Sequence, residues 1–135
     1  MARFAVALRS EMLSATIDNM NSGKLRIYSG TRPANGDASL GAAVLLAELT
    51  LGATSFTESG GVLTANPITS DSSADATGTP SFARIFQSDG STAVVDVSAA
   101  ASGAELNLSG LVGGQIISGQ PVGVSSLTIT FGVGA

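Results

Sequence analysis

The sequence predicts an all-β protein, an antiparallel β-sandwich of jelly-roll type with one N-terminal α-helix. Three observations predict it. Short stretches of alternating apolar and polar residues recur about every ten residues, which suits a sandwich and not a parallel α/β fold. Seventeen glycines, with abundant Ser and Thr, supply the tight turns that such a fold requires. Helical periodicity is good only in the first twenty residues. At 135 residues the chain makes a single domain, with the helix over 1–22 and the β-sandwich over 24–135.

In the helix, Leu8, Met12 and Ala15 form one apolar stripe, and Val6, Leu13, Ile17 and Met20 form an adjoining one. Ser10, Glu11, Ser14 and Asp18 fall opposite. So wide an apolar arc packs on a sheet or docks on another subunit, and Leu8, Met12 and Met20 are candidates for the second role. Asn21-Ser22-Gly23 ends the helix. Strands are then expected at 24–29, 44–51, 62–69, 81–87, 92–98, 105–108, 114–117 and 122–133. Residues 44–51 have helical propensity as well. Residues 30–39, GTRPANGDAS, are dense in turn formers, and Asp89-Gly90 signals a hairpin. In the last strand Leu127, Ile129, Phe131 and Val133 share one face, with Thr128 and Thr130 on the other. A final strand with so apolar a face needs a cover, from its own chain or from a neighbour.

Composition excludes much chemistry. Without His or Cys there is no usual catalytic triad, thiol enzyme, disulfide or common zinc site. No phosphate-binding glycine loop with its lysine is present, and net charge −4 offers nothing to nucleic acid or anionic membranes. No stretch approaches the roughly 20 apolar residues of a membrane span. Residues 4–8 are too short for a signal-peptide core before Arg9 and Glu11 interrupt them. The chain reads as soluble and made in the cytoplasm. Carboxylates alone could serve a glycosidase or a calcium site. The best cluster, SDSSADATG with Asp71 and Asp75, reads instead as a turn in which Asp and Ser cap their own backbone. No cofactor, no metal and no enzymatic activity are expected.

Only 12% of residues are charged against 44% hydrophobic, which is low in charge for a solitary globule and suits an assembly subunit. In PSFARIF, strand alternation puts Phe82, Arg84 and Phe86 on one face, with Ala83 and Ile85 in the core. Arg84 there either grips a partner's carboxylate at an interface or faces solvent with its stem over two rings. Arg26, Tyr28 and Arg32 pose the same choice.

KLRIYSGTRPANGDASLG, ITSDSSADATGTPSFARIF and VSSLTIT resemble a family of small virion proteins of tailed bacteriophages, encoded in the head-structure region near the major capsid protein. Pro80 and Phe82 depart from that family's pattern, which has a small residue and a larger aromatic there. The resemblance implies a virion location, on the head surface, and a decoration or cement protein. Its partners would be the major capsid protein and itself, as a homodimer or homotrimer. A tail, neck or head-fibre component is the alternative, and a carbohydrate-binding module or a carboxylate-based glycosidase is more remote. The interface candidates are Leu8, Met12, Met20, Arg26, Tyr28, Arg32, Phe82, Arg84, Phe86, Leu127, Ile129 and Phe131.

Overall fold

The computed structural model describes residues 5–33 and 38–130, without the side chains of Val6 and Arg9. Phe131 and Val133 lie outside the described residues.

Helix α1, Val6–Met20, starts without a side-chain cap and carries no acidic residue in its first turn. Its stability therefore comes from packing. Leu13 and Met20 are buried and Ile17 packs against the core. Leu8 and Met12 stay 46% and 36% exposed, so their stripe faces outward while Leu13, Ile17 and Met20 turn inward. Ser22 takes the left-handed conformation, φ 58°, and turns the chain into the first strand. Gly23 follows because a Cβ there would collide with the carbonyl oxygens of Met20 and Phe86. The helix end is tied down by the fully buried Ser55. Its N–H donates to Asn21 Oδ1 at 2.8 Å and its hydroxyl lies 3.2 Å from the Ile17 carbonyl.

Eight strands follow: β1 Lys24–Ser29, β2 Val44–Thr50, β3 Phe56–Ser59, β4 Val62–Ala65, β5 Phe82–Phe86, β6 Ala93–Ala100, β7 Leu106–Ser109 and β8 Gly123–Thr130. The ambiguous stretch from 44 is a strand, because Leu25 and Ile27 of β1 pair with Leu49 and Ala47 and bury them on a shared face. β3 is a strand that alternation did not reveal: SFTES is short and only Phe56 is buried on the core side. Conversely, residues 114–117 contribute only isolated bridges.

The fold is all-β with one short helix. The strands form one eight-stranded curled sheet, ordered β2-β1-β5-β6-β7-β8-β4-β3. In a jelly roll the first and last strands are neighbours, whereas here β1 lies between β2 and β5, and β8 between β7 and β4. All pairs are antiparallel except β6 with β7. The chain there steps sideways in five residues, so that Ala99 and Ala100 pair with Leu106 and Asn107. Two reciprocal hydrogen bonds hold the step: Ser98 N–H to Glu105 Oε1 and Glu105 N–H to Ser98 Oγ, each 3.0 Å.

Leu25, Ile27, Leu49, Ile85, Val97, Leu106, Leu108 and Leu127 line the inside of the curl, with Leu13 and Met20 brought to the same core by the helix. The outer edge of β2 is not left bare. Residues 69–76 run beside it as a strap: Thr50 and Thr69 exchange two hydrogen bonds, and Leu46 O accepts from Asp75 N and Ala76 N. The strap's other side pairs with the segment before β8, through Asp71 with Val122 and Ala74 with Gly119 and Gln120. Asp71 joins both sides. Its backbone bonds Val122 while Oδ2 accepts from Glu48 N of β2 at 3.0 Å, and Oδ1 accepts from Ser73 N. The cap-forming role expected of this aspartate is met, and extends to β2.

Asp71→Ala leaves the Glu48 and Ser73 N–H groups without these acceptors. Urea unfolding of this variant should show a loss of about 1–3 kcal/mol; an unchanged midpoint would mean that the side chain contributes nothing to closure.

Candidate functional site

Alternation along β1, β5 and β6 builds a second layer on the face opposite the core. Cross-strand register puts Glu48 beside Arg26, Arg26 beside Arg84, and Arg84 beside Asp96, a row of four charges over four strands. Arg26 Nε donates to Glu48 Oε2. Arg84 forks onto Asp96, with Nε to Oδ1 at 2.7 Å and an Nη2 donor to Oδ2 at 3.0 Å. These two side chains are only 6% and 3% exposed. Such bidentate geometry is what makes burial of the two charges tolerable.

Rings flank the row. Tyr28 stacks on Phe82, centroids 5.2 Å apart and planes 15° from parallel. The Arg26 guanidinium sits 4.7 Å above the centre of the Phe86 ring. All five side chains of β5 are buried, on both faces. Burial raises the Tyr28 phenol above its usual 10.0, against the opposing pull of the Arg26 and Arg84 charges. Arg32 reaches the same layer from the loop after β1. It donates to the Asp96 carbonyl at 2.8 Å and lies 3.9 Å from Glu105.

Six of the interface candidates, Arg26, Tyr28, Arg32, Phe82, Arg84 and Phe86, are thus brought together. The carboxylate that Arg84 grips belongs to its own chain. Arg84 does not face solvent, which corrects the plainer expectation, because Asp96 and the neighbouring rings enclose it. Met20 and Leu127 lie in the core, Ile129 is partly buried against it, and Leu8 and Met12 reach the surface. Sequence reasoning missed the acceptors Glu48, Asp96 and Glu105. Their only signal is the parity of their strand positions, and that becomes informative once the pairing of strands is known.

Among the described residues no three His, Cys, Asp or Glu side chains gather as a metal site. A cleft of about 270 Å³ between 65–68 and 124–127 opens where β4 and β8 part, and no titratable side chain lines it. No described helix is long and apolar enough to cross a membrane. No family model, curated protein or solved structure matches the chain.

Two measurements probe this layer. Arg84→Met leaves Asp96 buried without its fork and should cost about 3–5 kcal/mol, whereas Arg84→Met with Asp96→Leu should cost much less; a double variant that loses the sum of the two single losses would show that the residues act independently. Tyr28 is the single tyrosine, so absorbance titration reads it alone, and its midpoint should lie above 10. Because the fold favours the neutral phenol, this contribution to stability is complete below pH 10 and falls away as pH rises through the folded-state value.

Proposed function

We propose that the protein is a bacteriophage capsid decoration or cement protein, which binds the outer surface of the head as a homodimer or homotrimer and stabilises it without catalysing a reaction. One observation carries the reading. The three arginines whose side chains are described, Arg26, Arg32 and Arg84, all form ion pairs within the chain. Much of the remaining surface is neutral Ser, Thr, Gly and Ala, so another protein that covers it buries few charges. The three sequence segments that resemble small virion proteins support the same reading.

A cement protein stabilises a shell by binding its assembled form and not its separated parts, which shifts the equilibrium by mass action. A rigid module suits that task. Here the sheet is closed by a strap, and among the described residues no buried side-chain polar atom lacks a partner. Carbohydrate binding is less well supported, since the aromatic residues among those described, Tyr28, Phe56, Phe82 and Phe86, are all buried and provide no exposed ring for a sugar to stack on.

Co-sedimentation of the purified protein with heads assembled without it tests the reading, together with the melting temperature of those heads. Saturable binding with a raised melting temperature is expected. Absence of binding to intact heads would overturn it and direct attention to the tail and neck.

A further inference from the structure

Among the described residues, Asp89 is the only Asp or Asn that a glycine follows. Such a pair is prone to spontaneous rearrangement, because glycine leaves its amide nitrogen unshielded and lets the backbone reach the geometry of attack. The chemistry is a loss and a gain of water. The Gly90 nitrogen bonds to Cγ of Asp89, its hydrogen leaves as water with the hydroxyl of the protonated carboxyl group, and a five-membered imide forms. Water then opens the imide at one of its two carbonyls. Opening at the former main-chain carbonyl yields isoaspartate, in which the backbone runs through the side chain and is one methylene longer.

The β5–β6 turn opposes the first step twice. Gly90 N donates to the Gln87 carbonyl at 2.9 Å, which holds the attacking nitrogen toward the start of the turn. The Asp89 carboxylate is drawn the other way: Oδ1 accepts from Ser91 N and Thr92 N, each at 2.9 Å, and Oδ2 accepts from Thr92 Oγ1 at 2.7 Å. Attack requires nitrogen and carbon to meet in line, and here each is engaged elsewhere. The Thr92 hydroxyl, then the Thr92 and Ser91 amides, also lower the carboxyl group from its ordinary 3.8 to about 2. At neutral pH the protonated form that can lose water is therefore scarcer than in an unfolded chain. Asp89, Ser91 and Thr92 are all exposed, so these hydrogen bonds, and not exclusion of water, protect the site.

We propose that Asp89–Gly90 is a latent site of isoaspartate formation, held in check by the Thr92 hydroxyl and the two amides that engage the Asp89 carboxylate. Modification proceeds through the opened turn, so its rate follows the fraction of molecules in which the turn is open. The place matters to the rest of the sheet. The turn joins the strands whose register sets Arg84 beside Asp96, and Gly90 lies against Arg26, whose Nη2 would be 3.1 Å from a Cβ on that glycine. An added methylene changes the span of a link that these contacts require.

Peptide mapping by mass spectrometry tests this on the full chain, held folded at neutral pH and, in parallel, unfolded in urea. Isoaspartate at Asp89 should accumulate about tenfold or more slowly in the folded chain. Thr92→Val removes the hydroxyl and keeps the shape; in the folded state it should speed the reaction severalfold and raise the Asp89 carboxyl midpoint, read by NMR, above its wild-type value of about 2. Thr92→Ser should keep the wild-type rate. Unfolded Thr92→Val should react as fast as unfolded wild type, which separates protection by the turn from intrinsic reactivity. Equal rates for folded and unfolded wild type, or a folded Thr92→Val that reacts no faster than wild type, would each overturn the proposal. The comparison of folded with unfolded wild type stands even if a variant folds poorly.

Discussion

An open sheet has two edges, and the peptide groups along each of them need partners. At β2 this need is met by the strap over 69–76, which hydrogen-bonds to β2 on one side and to the segment before β8 on the other. The rest of the molecule depends on that seam. Without it the curl has no reason to bring β2 near 119–122, and Leu46 and Val122, both buried, lose the shielding that closure provides. Asp71 gives the seam its register, since one residue reaches Val122 with its backbone and Glu48 with its carboxylate.

The two faces of the sheet follow different rules. Inside the curl, close packing of aliphatic side chains provides the apolar burial that drives folding. Outside, over β1, β5 and β6, the Arg84–Asp96 fork and the stacked rings do less for stability than for uniqueness. A strand slipped by one residue would put Arg84 into the aliphatic core and Ile85 into the ion-pair layer, so the charges penalise wrong registers. On this view β5, buried on both faces, is the strand whose placement is most strictly determined.

Much of this was legible in the sequence, for reasons that particular residues make plain. Alternation of period two located β1, β5, β6 and most of β8, because each has one aliphatic face that must be buried. The PSFARIF stretch showed which side chains share a face. It could not show what they face, since Asp96 and Glu48 come from other strands. β3 escaped because four residues with one buried ring carry too little pattern. Residues 114–117 looked like a strand because Gly114 and Ile116 fit the alternation, yet they make only isolated bridges, Ile116 with Gly78 and Gln115 with Val112. The sideways step from β6 to β7 left no periodic trace at all, since it is made by Ser98 and Glu105 hydrogen-bonding each other across a loop.

The order of the strands has a consequence for how the chain acquires its shape during synthesis. β1 can pair with β2 early, but it must wait for β5, some sixty residues later, before its other edge is satisfied. β4 waits equally long for β8, and the strap cannot close until 116–122 have been made. Pairings so distant in sequence carry a large loop-closure cost before they return any contact energy, which slows folding. On the ribosome the first half would therefore persist as an incomplete sheet with open edges, the state most prone to pair with a neighbour's strands. The low charge that suits the finished surface gives that intermediate little electrostatic protection, so a chaperone or a slow rate of synthesis would matter more to its yield than to that of a helical protein of similar size.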